Sequence, residues 1–381
     1  MDFIPVASAD MSGNEEAYVT DAIRSSWISS TGRYIDQFEA EFAEMCGAKH
    51  ALSCSNGTTA LHLALLGLGL RPGDEVIVPS MTYIATANAV RYCGAEPVFV
   101  DVDEDTWCIS PEQVENAITS RTRGIIAVHL IGHSADMDAI NNIAAMHGLW
   151  VVEDAAEAHF ATYKDRPVGG LGTLGTFSFF GNKIFTCGEG GAITLNDSQL
   201  YIRLKMLRGQ GMDPNRRYYF PITGYNFRLT NVACAMLCAQ LERRKQIYDE
   251  RQSVFDYYTA AFQEVPGIVL QPIADWASVA PWMYSVLIDP EEFGRDRNEL
   301  QQILRDQNID SRPMFHPLHA LPPFREVAAK QPHKMNVTNY LGENGLMLPT
   351  YNKLKAADLE RVVSTIRLAA KQSRRSIRRA A

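Results

Sequence analysis

The chain has 381 residues, 46% of them apolar and 21% charged, which is ordinary globular composition and excludes a disordered, collagen-like or disulfide-stapled chain. Net charge is −8, and Lys371, Arg374, Arg375, Arg378 and Arg379 crowd the last eleven residues, so the body is more acidic still. That balance argues against nucleic acid as a partner, and the basic tail reads as a frayed end, with a weak docking arm as the alternative.

The N-terminus, MDFIPVASAD, has neither a basic region nor an apolar core, so no signal peptide is expected. Ser12 and Glu15 have capping-box spacing ahead of a helix through about Arg24, and Tyr34 to Cys46 reads as a second helix. Short apolar runs then alternate with helical patterns. Strands are predicted at His50–Ser53, Glu75–Pro79, Val98–Val102, Gly124–Val128 and Leu149–Glu153, with helices beginning near Gly57, Thr82, Pro111 and Asp136. Such alternation implies an α/β fold with a mostly parallel sheet covered on both faces. Thr176–Phe180 and Gly191–Leu195 read as strands joined by a Gly-rich turn, and one helical pattern runs from Thr230 to Phe262. Beyond Pro266 come a strand (Met283–Ile288), a helix (Arg297–Asn308), a Pro/His-rich stretch (Arg312–Pro323) and a last helix (Ala356–Ala369). The expected organisation is a large domain over 1–265 and a smaller C-terminal α+β domain over 266–381 that carries the basic tail. The seven cysteines are odd in number and form no CxxC, which suits small buried residues in a reducing cytoplasm. No stretch of 18 apolar residues occurs, so no membrane span is expected.

Chemistry concentrates in a few places. Lys183 ends the run Ser178-Phe-Phe-Gly-Asn-Lys, in a turn of small residues after an apolar strand. Desolvation makes such an amine less basic, and a neutral amine can bond covalently to a carbonyl cofactor. A lysine snorkelling from a strand end fits the run equally well. Asp154 breaks the tie. It closes Leu149-Trp-Val-Val-Glu-Asp at the carboxyl end of a buried strand, where open α/β sheets bind ligands. A carboxylate there can keep a pyridine nitrogen protonated, so that the ring draws in electrons. The alternative for Asp154 is a helix N-cap. Ser55-Asn-Gly-Thr-Thr59 lies between a strand and an apolar helix, where backbone N–H groups and the helix dipole can hold a phosphate. Thr58 and Ser178 add hydroxyls; a plain capped helix is the alternative. Tyr83 follows the next strand and can stack on a flat ring or simply be buried.

Three other patterns carry no such chemistry. Gly170-Leu-Gly-Thr-Leu-Gly175 matches GxGxxG but leads into a strand, whereas a dinucleotide site opens a helix. The pairs His129/His133 and His316/His319 lack a completing Cys or carboxylate cluster, so no metal is expected. No GxSxG elbow for a serine hydrolase occurs.

SNGTTALHLAL, PSMTYIATANAV, VEDAAEAHFA, TFSFFGNK, GEGG and GYNFR occur in this order, and together they resemble the DegT/DnrJ/EryC1/StrS family of sugar aminotransferases. The resemblance covers nearly the whole chain and is weakest in the last third. It implies the type I aminotransferase fold and pyridoxal 5′-phosphate as cofactor, passing through pyridoxamine phosphate. Lys183 would be the covalent lysine and acid/base, and Asp154 the partner of the ring nitrogen. Gly57, Thr58 and Ser178 would hold the phosphate, and Tyr83 would stack on the ring. Glu157 and His159 would lie beside the cofactor. Asn226 would reach the phosphate of a neighbouring subunit, which implies a homodimer with shared sites; the residue pattern alone favours a turn there. Ser30, Thr31, Arg217, Tyr219, Arg312 and His316 would contact a nucleotide sugar, Arg312 being equally suited to a structural ion pair. The implied reaction moves an amino group from glutamate to C4 of a 4-keto-6-deoxy sugar. Within the family, SFFGNK, Gly209-Gln-Gly, GYNFR and Arg312-Pro-Met-Phe-His-Pro-Leu-His319 resemble the members that act on GDP-4-keto-6-deoxymannose, and that resemblance implies this acceptor, with a UDP- or dTDP-linked sugar as the alternative. A sugar dehydratase relative replaces the lysine with histidine, so Lys183 favours amino transfer. O-antigen or another surface polysaccharide is the implied pathway, in the cytoplasm. One departure is Phe160, where relatives often have glycine: it either crowds the floor of the site or repacks a core.

Overall fold

The structure, a computed structural model, describes residues 2–380, with residues 371–380 described by backbone alone. The side chains of the basic tail, and with them its reading as a frayed end or docking arm, therefore lie outside the described residues.

Helices α1 (Glu15–Arg24) and α2 (Arg33–Met45) precede strand β1 (His50–Cys54). The expected Ser12–Glu15 capping box does not form: Asn14 precedes α1 and its side chain makes no cap. Ser12 Oγ is drawn instead to two cations, accepting from Arg243 Nη1 at 2.7 Å and from Lys353. Charge-assisted bonds outcompete a neutral backbone N–H for one hydroxyl.

The expected alternation follows. It runs α3 (Gly57–Gly67), β2 (Glu75–Pro79), α4 (Ala85–Tyr92), β3 (Glu96–Val100), α5 (Pro111–Asn116), β4 (Thr122–Val128), α6 (Met137–His147) and β5 (Trp150–Asp154). A hairpin of two-residue strands, β6 (Thr162–Tyr163) and β7 (Arg166–Pro167), leads to β8 (Leu174–Ser178) and β9 (Gly191–Leu195). Gly170–Gly175 thus runs into a strand. The seven strands of the main sheet lie in the order β1-β9-β8-β5-β4-β2-β3. β8, β5, β4, β2 and β3 are parallel, while β9 is antiparallel to both of its neighbours. Helices on both faces bury the central strands completely, as at Val76–Val78 and Ile125–Ala127. Full burial is why those strands are unbroken apolar runs; each such side chain contributes about 1.5–3 kcal/mol. Parallel pairing brings the carboxyl ends Pro79, Val128, Asp154 and Ser178 to one edge of the sheet.

Next come α7 (Ser198–Arg208), α8 (Asn231–Glu242) and α9 (Arg244–Phe262). The single helix expected over Thr230–Phe262 breaks at Arg243 (φ −101°, ψ 13°), whose guanidinium turns back to Asp10 at 2.9 Å. The remainder is β10 (Ile268–Leu270), β11 (Ala277–Ser278), β12 (Ser285–Ile288), α10 (Pro290–Phe293), α11 (Arg297–Asp306), β13 (Arg312–Pro313), α12 (Arg325–Ala328), α13 (Asn336–Asn344), β14 (Gly345–Met347) and α14 (Ala356–Ala380). β10-β12-β14-β13 make an antiparallel sheet, and β11 joins the β6–β7 hairpin. The last helix continues well past the expected Ala369.

Two hydrophobic cores result. The first surrounds the large sheet, and the second packs α9, α11 and α14 on the small sheet. Helix α9 belongs to both, since Ile247 lies in the first and Val254, Tyr258 and Phe262 lie in the second. The chain also crosses between cores at its start, with Ile4 in the second and Val6 in the first, and again between Met283 and Tyr284.

Phe160 adopts φ +78°, the left-handed region that suits glycine. Its ring packs on Phe185 (5.1 Å) and Tyr248 (5.3 Å) and does not line the cleft described below, so it repacks a core. Phe160→Ala loses the packing and keeps the backbone strain, whereas Phe160→Gly loses the packing and the strain together. The glycine variant is expected to be more stable than the alanine variant by about 1 kcal/mol, the reverse of their usual order, as measured by urea midpoints. Equal midpoints would show that the backbone relaxes.

Candidate active site

A cleft of about 700 Å³ opens at the carboxyl edge of the large sheet, a size that suits a cofactor and part of a substrate. Asp154 and Ser178 come from strand ends, and Asn56–Thr58 from the start of α3. Thr82–Thr86 follow β2. The opposite wall is Trp282, Met283 and the stretch around Arg312–His316.

Asp154 ends β5 with its side chain nearly buried. Oδ2 accepts a hydrogen bond from Thr86 Oγ1 at 2.8 Å, and Oδ1 accepts one from the Ala156 N–H at 3.3 Å. Burial pushes the carboxyl above its ordinary range, opposed by these two bonds and by Lys183 and His129. The residues directly after Asp154 form turns and not a helix, so the helix-cap reading of Asp154 falls away.

Lys183 sits in the turn after β8. Its backbone N–H donates to the Phe180 carbonyl at 2.9 Å. Among the described residues, Nζ has no hydrogen bond. It lies 3.9 Å from Glu157 Oε1 and 3.9 Å from the centre of the Trp282 ring. Burial lowers its basicity, and the Glu157 and Asp154 carboxylates oppose that. The surroundings are a cleft rather than a surface, which removes the snorkelling reading.

Glu157 is buried, and burial pushes its carboxyl up to about 7 against the pull of Lys183 and of a bond from the Ile131 N–H at 2.9 Å. Ile131 holds φ +51°, a costly conformation for a β-branched residue, in the turn Leu130–Gly132. His159 does not line the cleft. It is enclosed by Phe42, Phe177, Phe179 and Phe185, neither ring nitrogen has a hydrogen-bond partner among the described residues, and burial lowers it to about 3.

The start of α3 is an anion cradle. Asn56 Oδ1 accepts from the Thr59 N–H at 2.9 Å, leaving the first-turn N–H groups of Gly57 and Thr58 without helical acceptors. A Cβ at Gly57 would lie 2.8 Å from Ser178 Cβ, so only glycine leaves space between the helix start and that hydroxyl.

Tyr83, Arg312 and His316 line the cleft, Tyr83 meeting Phe315 edge-on at 6.0 Å. Asn226, Ser30, Thr31, Arg217 and Tyr219 do not. Asn226 bridges to Gly209 and accepts a bond from Arg228 Nε at 3.0 Å. Arg217 and Tyr219 are exposed on the loop after α7, and Ser30 and Thr31 lie between α1 and α2. Three of the four paired histidines are engaged elsewhere. His129 Nε2 meets Glu153 at 3.0 Å, His133 accepts from the Ala274 N–H, and His319 Nδ1 meets Ser80 Oγ at 2.8 Å. Among the described residues no three His, Cys, Asp or Glu are placed to hold a metal ion, all seven cysteines are free and buried, and no helix is long and apolar enough to cross a membrane.

Thr86, Trp282 and the Ile131 N–H escaped the sequence reading. Thr86 lies inside the PSMTYIATANAV run, one helical turn from Thr82, and that run could have flagged it. Trp282 is far from Lys183 in the chain and gave no signal.

A cradle for a phosphate, a buried carboxylate and an unbonded amine face one cleft, and this donor set fits pyridoxal phosphate. The fold and the site define a pyridoxal-phosphate-dependent aminotransferase. The model of the DegT/DnrJ/EryC1/StrS aminotransferase family matches residues 9–367, and the chain belongs to that family. Family members use pyridoxal phosphate. The chain is 47% identical to GDP-perosamine synthase of Caulobacter vibrioides, over 95% of this chain and 97% of the relative. It resembles DesV of S. venezuelae, solved in complex with a ketimine intermediate, at 36% identity and TM-score 0.87, covering 94% of each chain. It resembles DesI, solved in the presence of its TDP-sugar product, at 30% identity and TM-score 0.90, over 100% of this chain and 97% of that one.

Proposed function

We propose that this protein transfers an amino group from glutamate to C4 of GDP-4-keto-6-deoxymannose. The observation that carries the acceptor is the 47% identity to a GDP-perosamine synthase along nearly all of both chains. Gly57, Thr58 and Ser178 hold the cofactor phosphate, Tyr83 covers the ring, and Glu157 lies beside it. Asp154 keeps a proton on the ring nitrogen. When bound, pyridoxal phosphate supplies an electron sink for charge at the reacting carbon. Lys183 anchors the cofactor. Its freed amine takes the proton from Cα of glutamate and later delivers one to C4 of the sugar. Arg312 and His316 face the substrate from the far wall. Asn226, Ser30, Thr31, Arg217 and Tyr219 lie outside the cleft of their own chain, which supports a homodimer in which each copy completes the other's site. The seven free cysteines suit the cytoplasm.

The visible absorption of the loaded protein tests this. Glutamate is expected to bleach it, and GDP-4-keto-6-deoxymannose, added after the excess is removed, to restore it. Bleaching without return moves the acceptor to another nucleotide sugar, a UDP- or dTDP-linked one first. No bleaching at stoichiometric cofactor overturns the glutamate half-reaction.

A further inference from the structure

Trp282 comes from the small-sheet side of the cleft, on the segment that leads into β12, and is 3% exposed. Two contacts join it to Lys183. The ring centre lies 3.9 Å from Lys183 Nζ, and the indole Nε1–H donates to the Asn182 carbonyl at 2.9 Å. That carbonyl belongs to the peptide bond carrying Lys183. One side chain therefore meets both ends of the lysine, its main-chain root and its ammonium tip. We propose that Trp282 is a positioning residue for Lys183, its ring face receiving the free ammonium and its indole N–H fixing the Asn182–Lys183 peptide.

The placement of the ring is itself fixed. The Trp282 N–H donates to the Ala280 carbonyl at 2.8 Å, and the Ala280 N–H donates to the Gly132 carbonyl at 2.9 Å. Gly132 holds φ +83°, and a Cβ there would lie 2.2 Å from the Ala280 oxygen. Arg251 Nη1 donates to the Trp282 carbonyl at 3.0 Å. The same Leu130–Gly132 turn presents the Ile131 N–H to Glu157. One turn thus registers both neighbours of the amine, the indole face and the Glu157 carboxylate. An amine released from a covalent bond needs a defined resting place within reach of the reacting carbon. A desolvated aromatic face favours its protonated form.

The charged or titratable groups that share the cleft with this amine are Asp154 and Glu157 from β5 and the turn after it, Tyr83 from the segment after β2, Glu189 from the Gly-rich turn, and Arg312 and His316 from the opposite wall, with His159 behind and Arg251 on the Trp282 carbonyl. All stay constant when Trp282 alone is changed. The proposal rests on Lys183 being the reactive amine, and its test is separate from turnover. The full-length protein is loaded with pyridoxamine phosphate, which leaves the lysine free. It is then labelled with limiting acetic anhydride across a pH series, and mass spectrometry of the Lys183 peptide reads the neutral fraction. Removing a face that favours the cation lowers the labelling midpoint. Trp282→Leu is expected to lower it by about one pH unit, a tenfold rise in neutral amine at fixed pH, and Trp282→Phe by less. Trp282→Met is a second variant without a ring face, should the leucine protein not fold. A midpoint unchanged in either ring-less variant overturns the proposal. Failure of the Lys183 assignment would show instead as turnover in a protein that lacks the lysine.

Discussion

Lys183→Ala is expected to abolish amino transfer, with a loss of about 10⁴-fold or more. The magnitude follows from the two tasks that fall on one amine. General acid–base help alone is worth about 10²–10⁴-fold, and here the same group serves glutamate and sugar in turn. Loss of the covalent anchor adds to that. The substitution removes a partly buried cation that has no hydrogen bond among the described residues and whose nearest carboxylate oxygen is 3.9 Å away, so the fold should survive. Steady-state transamination is the measurement, with circular dichroism and bound cofactor followed in parallel. Appreciable residual turnover in a folded, loaded variant would overturn the assignment of Lys183.

Asp154→Asn is expected to cost about 10²–10³-fold in turnover while the cofactor still binds. Each tenfold is about 1.4 kcal/mol in the barrier, so the loss is about 3–4 kcal/mol. The amide matches the carboxylate in shape and can still accept the Thr86 hydroxyl hydrogen bond. It carries no negative charge, so a protonated ring nitrogen opposite it loses its counter-charge in a desolvated site. The phosphate cradle at α3 is untouched, which is why occupancy should persist. Turnover at the unsubstituted rate would show that the ring proton is held by another group.

Much of this arrangement was legible because its physics is local. Strands buried on both faces must be apolar runs, and the residues that end them, Asp154 and Ser178, fall at the ligand-binding edge by topology. The Gly57 cradle was legible because a phosphate site needs small residues and free N–H groups at a helix start. Long-range neighbours were not. Nothing within reach of Ser12 in sequence announces Arg243 or Lys353, and their charges undid a capping box with the right spacing. The kink at Arg243 is likewise set by Asp10, more than two hundred residues away. Trp282 meets Lys183 only because the second half of the chain folds back over the sheet edge. The Ile131 turn runs against propensity, since a β-branched residue is a poor choice for its conformation. Phe160 was recognised as a departure from relatives, but its meaning required the backbone angle.

The crossings between the two cores bear on how the cleft can move. Residues 4–6, helix α9 and the segment around Met283 each have one end embedded in either core. The cores are stitched there and again along β12 (Leu287, Ile288) and β14 (Leu346, Met347), where neighbouring side chains face either core, and one seam is a nineteen-residue helix acting as a strut. A joint built this way has no slack linker to swing on. Parting the cores would strip apolar side chains from both interiors at once, and since Val128 and Phe177 on one wall of the cleft and Trp282, Met283 and Met314 on the other all belong to the first core, the cleft is walled by a single interior.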